Sequence, residues 1–125
     1  MLRENHSPEK AQTLEESLHG KSAHTVALFE HFVMEFNKAG KVTLQPARTM
    51  IGIANDHKRI AYVTQLGKSF IHVVFPFKQA YTDNLCFQKI AQVPGEQQFN
   101  HHFRMLELND VNAEVRKFMK LALKT

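Results

Sequence analysis

At 125 residues, with 43% hydrophobic and 22% charged side chains, the chain has the size and balance of one folded domain. It can bury roughly two thirds of the surface its unfolded form exposes, enough for a core without staples. A single cysteine, Cys86, excludes an internal disulfide and a multi-cysteine metal site, and a formal charge of +4 mildly favours anionic partners over cationic ones.

The opening MLRENHSPEK is polar and has no apolar run of the secretory kind, so a mobile start and a cytoplasmic protein are expected. No apolar run along the chain is long enough to span a bilayer. AQTLEESLHG predicts a short helix with Leu14 and Leu18 one turn apart and Gly20 as its stop. Residues 1–18 thus form a polar segment with a short helix, and 19–125 a single domain. A second helix opens behind Ser22 as N-cap, with Val26, Phe29, Phe32, Val33 and Phe36 at helical spacing and Gly40 at its end.

From Lys41 the pattern turns to short extended runs. KVTLQPA carries Pro46 as an edge or end marker. TMIGIA, RIAYVTQL and FIHVVFPF follow, joined by the tight connections NDHKR and LGKS, which predicts an antiparallel meander. Phe77 to Asn84 fits no pattern beyond one helical turn. LCFQKIAQV and FNHHFRMLEL are the later strands, separated by a loop headed by Pro94-Gly95. NDVNAEVRKFMKLALKT closes the chain as a helix capped by Asn109 or Asp110, with Val111, Val115, Phe118 and Ala122 in one stripe. The expected fold is α+β: an antiparallel sheet of about five strands, with the N-terminal and C-terminal helices on one face.

Several motifs fail on physical grounds. Gly20-Lys21-Ser22 imitates the tail of a phosphate-binding loop, but that loop needs a glycine where Glu15 stands, inside a helical pattern. His24 and His31 are two turns apart, too far to chelate alone, so they and His19 are surface histidines. Cys86 has no basic neighbour in sequence to make it a nucleophile and is read as a structural thiol. The extended region holds only Asp56, Asp83, Glu96 and Glu107, at turns or strand ends, which argues against paired-carboxylate hydrolases and nucleases. No cofactor motif and no metal-ligand set is present.

The stretch NHHFRML is more informative. Strand side chains alternate between faces, so Phe99, His101, Phe103 and Met105 share one side and Asn100, His102, Arg104 and Leu106 the other. The first set is apolar, which places His101 in the core, where its ring needs hydrogen-bond partners. By the same logic Ile71, Val73 and Phe75 face inward and His72 outward. Arg48, Lys58 or Arg59, His72, His102 and Arg104 then line one cationic sheet face, with Tyr62 available to stack.

The run HGKSAHTVALFEHFVMEFNKAGKVTLQPARTMIGIA, then RIAYV, NHHFRML and DVNAEVRKFMKLAL, resembles the domain of unknown function 5655 family, small bacterial domains. The matching features are Gly20-Lys21 before the long helix, Gly40 closing it, Arg48 opening the next strand, and His101-His102-Phe103-Arg104 late in the chain. The likeness runs from His19 to about Leu123. One departure is Ile60, where members commonly have an aromatic. The resemblance implies a fold and carries no activity.

These readings together predict a non-enzymatic binding module for an anionic partner, nucleic acid or a phosphorylated small molecule, through a basic sheet face. Two alternatives are a small enzyme using His101 or His102 as general base beside the Pro94-Gly95 loop, and an interaction domain forming a homodimer.

Overall fold

The structure is a computed structural model that describes residues 12–125; the polar start at residues 1–11 lies outside the described residues. In chain order the elements are α1 (Leu14–Leu18), α2 (Ala23–Ala39), β1 (Thr43–Pro46), β2 (Ile51–Ala54), β3 (Arg59–Leu66), β4 (Ile71–Phe77), β5 (Lys89–Gln92), β6 (Phe99–Met105) and α3 (Ala113–Leu123). One fully antiparallel sheet carries six strands in the order β1-β2-β3-β4-β6-β5. The fold is α+β, as the alternation of pattern predicts, with one strand more than expected. The two edge strands, β1 and β5, have four residues each, too short to give a clear period in sequence.

Helix ends follow local chemistry. Thr13 and Glu16 form a reciprocal capping box at α1, satisfying donors that the first turn leaves free. Ser22 caps α2 by accepting from the Thr25 N–H, and its own hydroxyl donates to Lys68 O in the β3–β4 turn. α3 is capped by Asn112, a correction to the expected Asn109 or Asp110. Asp110 is used earlier: its carboxylate accepts from the Leu106 and Glu107 N–H groups and bends the chain out of β6 through a 3-10 turn at Leu108–Asp110.

Both long helices lie on one face of the sheet. Leu28, Phe29, Phe32 and Phe36 of α2 and Val115, Phe118, Met119 and Ala122 of α3 share one buried cluster with Ile51, Ile53, Val63, Ile71, Val73, Phe75, Phe103 and Met105. Leu14 and Leu18 of α1 pack against its margin, so the short helix closes the core rather than trailing from it. The buried stripe of α2 differs from the expected one: Leu28, Thr25 and Glu35 are buried, while Val26 and Val33 are half-buried. Tertiary partners turn the helix this way. Thr25 donates to Gly67 O, and Glu35 takes hydrogen bonds from Arg116 of α3 at 3.0 Å and Lys38 at 3.3 Å. The Arg116 guanidinium holds the Glu35 carboxyl below its ordinary range. Among the described residues, the opposite face of the sheet carries no helix.

Candidate functional site on the open sheet face

The phase of β6 is as expected. His101 is fully buried with Phe103 and Met105, while Arg104 is exposed on the other side. His101 is completely satisfied by backbone. Its Nδ1 lies 2.9 Å from Phe99 O and 3.3 Å from Phe75 O, and its Nε2 accepts from the Tyr81 N–H at 3.1 Å. Those partners fix the tautomer with the proton on Nδ1. Phe77, Tyr81 and Phe87 surround the ring, and burial holds the imidazole below its ordinary range. His101 is a structural post for the 78–88 connection, which crosses from β4 to the far edge and leaves the gap that β6 fills. A general base needs a free nitrogen, and this ring has none.

The Cα register brings the outward residues into rows. Gln45, Gly52, Tyr62, Val74, His102 and Lys89 lie across the sheet in one row, and Gln65, His72 and Arg104 in the next. Arg59 reaches over Gly52 and donates from Nε to Gln45 Oε1 at 2.6 Å. A Cβ at Gly52 would press on that side chain, so the glycine is what lets Arg59 lie flat. Arg104 stands over the Phe70 ring with its guanidinium carbon 4.5 Å from the ring centre. Phe70 in turn sits over Gly67, where no Cβ would fit. Of the six residues the sequence assigns to this face, Arg59, Tyr62, His72, His102 and Arg104 are on it. Arg48 is not. It lies in the β1–β2 turn, two strands from β4, on a separate cleft. Lys89, absent from the sequence reading because a four-residue edge strand gives no phase, stands directly beside His102. Ile60 is buried in the core beside a β-bulge.

His72 and His102 meet ring to ring, with His72 Nε2 2.8 Å from His102 Nδ1. Among the described residues His72 Nδ1 is buried with no partner. The proton count of this pair follows from the geometry. One proton occupies the contact between the rings. In the neutral pair a second proton remains, and it belongs on His102 Nε2, because on His72 Nδ1 it would be a buried donor without an acceptor. A single positive charge adds a third proton and places it on His72 Nδ1 whichever ring formally bears the charge. A stranded donor of that kind costs about 1–3 kcal/mol. Burial is the first cause that pushes both rings below their ordinary range. At His72 the charge of a protonated His102 adds to it, followed by Arg104 and Lys89; at His102 the added charges are those of Lys89 and then of a protonated His101. The pair is therefore neutral at neutral pH, and the charge of this face resides on Arg59, Lys89 and Arg104.

Elsewhere, Cys86 is half-buried in a turn, its N–H donating to Glu114 Oε1 at 3.0 Å. Burial, reinforced by that carboxylate, pushes the thiol up to about 12, which removes the thiolate a nucleophile requires. His24 is exposed and hydrogen-bonded to Leu106 O at 2.9 Å. Among the described residues no three His, Cys, Asp or Glu side chains converge in a metal-binding group, and no helix is long and apolar enough to cross a membrane.

Comparison with protein-family models, with curated proteins and with solved structures finds no match to this chain.

Proposed function

We propose that the open sheet face is a docking surface for an anionic polymer, nucleic acid first, and that the protein acts as a binding module without chemistry of its own. The observation that carries this reading is electrostatic. The six strands contain no aspartate or glutamate, while Arg59, Lys89 and Arg104 project from their uncovered side. Among the described residues the ion pairs are those of Glu35 with Lys38 and Arg116, behind the sheet. Among the described residues no carboxylate pairs with the three cations; Arg59 rests on Gln45 and Arg104 on Phe70. From β3 to β5 is three strand steps, about 14 Å at the usual strand spacing, room for more than one phosphate. Tyr62 lies beside Val74 in the central row and offers a ring on which a base can stack. His102 adds a neutral N–H donor. The general-base alternative has weaker support, because His101 is fully engaged and the histidine pair is committed to itself.

Fluorescence anisotropy with single- and double-stranded oligonucleotides across a salt series tests the proposal. Three phosphate contacts on a single strand give a slope of log affinity against log salt of about −2. The double reversal K89E/R104E is expected to abolish binding, and a salt-independent signal, or one untouched by that variant, would refute the proposal.

A further inference from the structure

A second concave site lies at the end of β2 and β3 nearest α1. It encloses about 350 Å³, at the small end of the range for ligand pockets. Two cations from separate parts of the chain line it, Lys21 and Arg48. Lys21 stands just after Gly20, whose φ of +76° makes the left-handed turn between α1 and α2 that a side chain would strain. Arg48 is held in the short β1–β2 connection, closed by the Ala47 N–H donating to Met50 O at 2.8 Å. Among the described residues no carboxylate lines the cleft, and the nearby Glu16 is turned back onto Thr13 at 2.8 Å.

The remaining lining suits an oxyanion attached to a small body. Ser17 and Thr49 bring hydroxyls, while the Thr64 hydroxyl donates to His72 O at 3.4 Å. The Ser17 hydroxyl oxygen already accepts from Gln12 Nε2 at 3.0 Å, so its proton is left for an acceptor in the cleft. Ile51, Val63 and Leu66 supply an apolar floor. A guanidinium fork and an ammonium together match the two charges of a phosphate monoester, the guanidinium binding two oxygens and the ammonium acting as a point charge.

We propose that this cleft binds a small phosphate monoester with a body of sugar size, its dianion held between Lys21 and Arg48. The site shares only Gln65 with the outward rows of the sheet: the core-facing Ile51 and Val63 form its floor, and none of Arg59, Lys89 and Arg104 lines it. The Gly20-Lys21-Ser22 sequence, which fails as a nucleotide loop, acquires a plain role here as the segment that presents one of the two charges.

The test is an amide NMR titration of the full chain with ribose 5-phosphate, alongside ribose and inorganic phosphate. The expected result is saturable shifts at Ser17, Lys21, Arg48 and Thr49 with ribose 5-phosphate, weaker binding of inorganic phosphate and none of ribose. Removing either charge-assisted hydrogen-bond donor is expected to weaken affinity about tenfold or more. The exposed-site variant K21Q/R48Q is expected to abolish these shifts while keeping a folded spectrum and its affinity for oligonucleotides. K89Q/R104Q is expected to do the reverse. Shifts on the sheet face instead of the cleft, equal response to ribose, unchanged binding by K21Q/R48Q, or no response at about 10 mM would each overturn the assignment.

Discussion

Phe32→Ala is expected to cost about 3–5 kcal/mol of folding stability, the range for emptying a fully buried aromatic site. Phe32 has no exposed surface and stands where α2 meets the sheet. Its ring is 5.7 Å from that of Phe36, 6.3 Å from Phe75 and 6.2 Å from Phe103. Truncation strips the ring from all of these neighbours at once and leaves a cavity that a sheet on one side and a helix on the other cannot collapse to fill. Domains of this size have about 5–15 kcal/mol in total, so the variant approaches the unfolding threshold. Urea denaturation followed by circular dichroism measures the effect. Phe32→Leu, which keeps most of the volume, is expected to be much less destabilised. Equal destabilisation by the two would mean that the ring-on-ring packing is not what holds helix to sheet.

Acidification is the second large effect. His101, His72 and His102 all have folded-state values below the ordinary imidazole value of 6.5, so the unfolded chain binds protons that the folded one refuses. Stability from these groups is complete above the unfolded value, and it is lost as the pH falls from there through the folded values. Each such group contributes up to about 1.4 kcal/mol per pH unit inside that window. His101 is the strongest case, since it is fully buried and its Nε2 already accepts from Tyr81. A proton there would face an N–H. Urea midpoints at about pH 7.5 and pH 5 should therefore differ clearly in the unmodified chain. His101→Gln should be less stable at the higher pH but less sensitive to the drop. An unchanged pH slope in that variant would show that the buried imidazole is not the titrating group.

Parts of this molecule are legible in the chain because they depend on neighbours close in sequence. The Ser22 cap, the start of the long helix and its end at Gly40 follow from backbone donors and acceptors within a few residues. The phase of β6 is legible because seven residues give enough alternation to separate Phe103 and Met105 from His102 and Arg104. Where local signals are thin, expectation and structure part. Asp110 resembles a helix cap and is one kind of cap, but for the turn that leaves β6 rather than for α3. Lys89 sits in a strand too short to show a period. Arg48 would join the sheet face if it opened a strand, whereas it lies in the preceding turn and faces a cleft.

Sequence alone determined the class of the fold, the segregation of helices from strands, and the fate of each β6 side chain, because helical and extended periods are properties of consecutive residues. The meander from β2 to β4 was legible in its tight turns, and only the tertiary structure decided that β6 rather than β5 is the next neighbour of β4. β6 follows β5 through a short turn at 93–98 yet enters between β5 and β4, and that insertion brings His72 against His102 and Lys89 beside them. Distance in space between segments far apart in the chain is set by the packing of the whole core. No local pattern encodes it, and both the neutral histidine pair and the Lys21–Arg48 cleft are products of it.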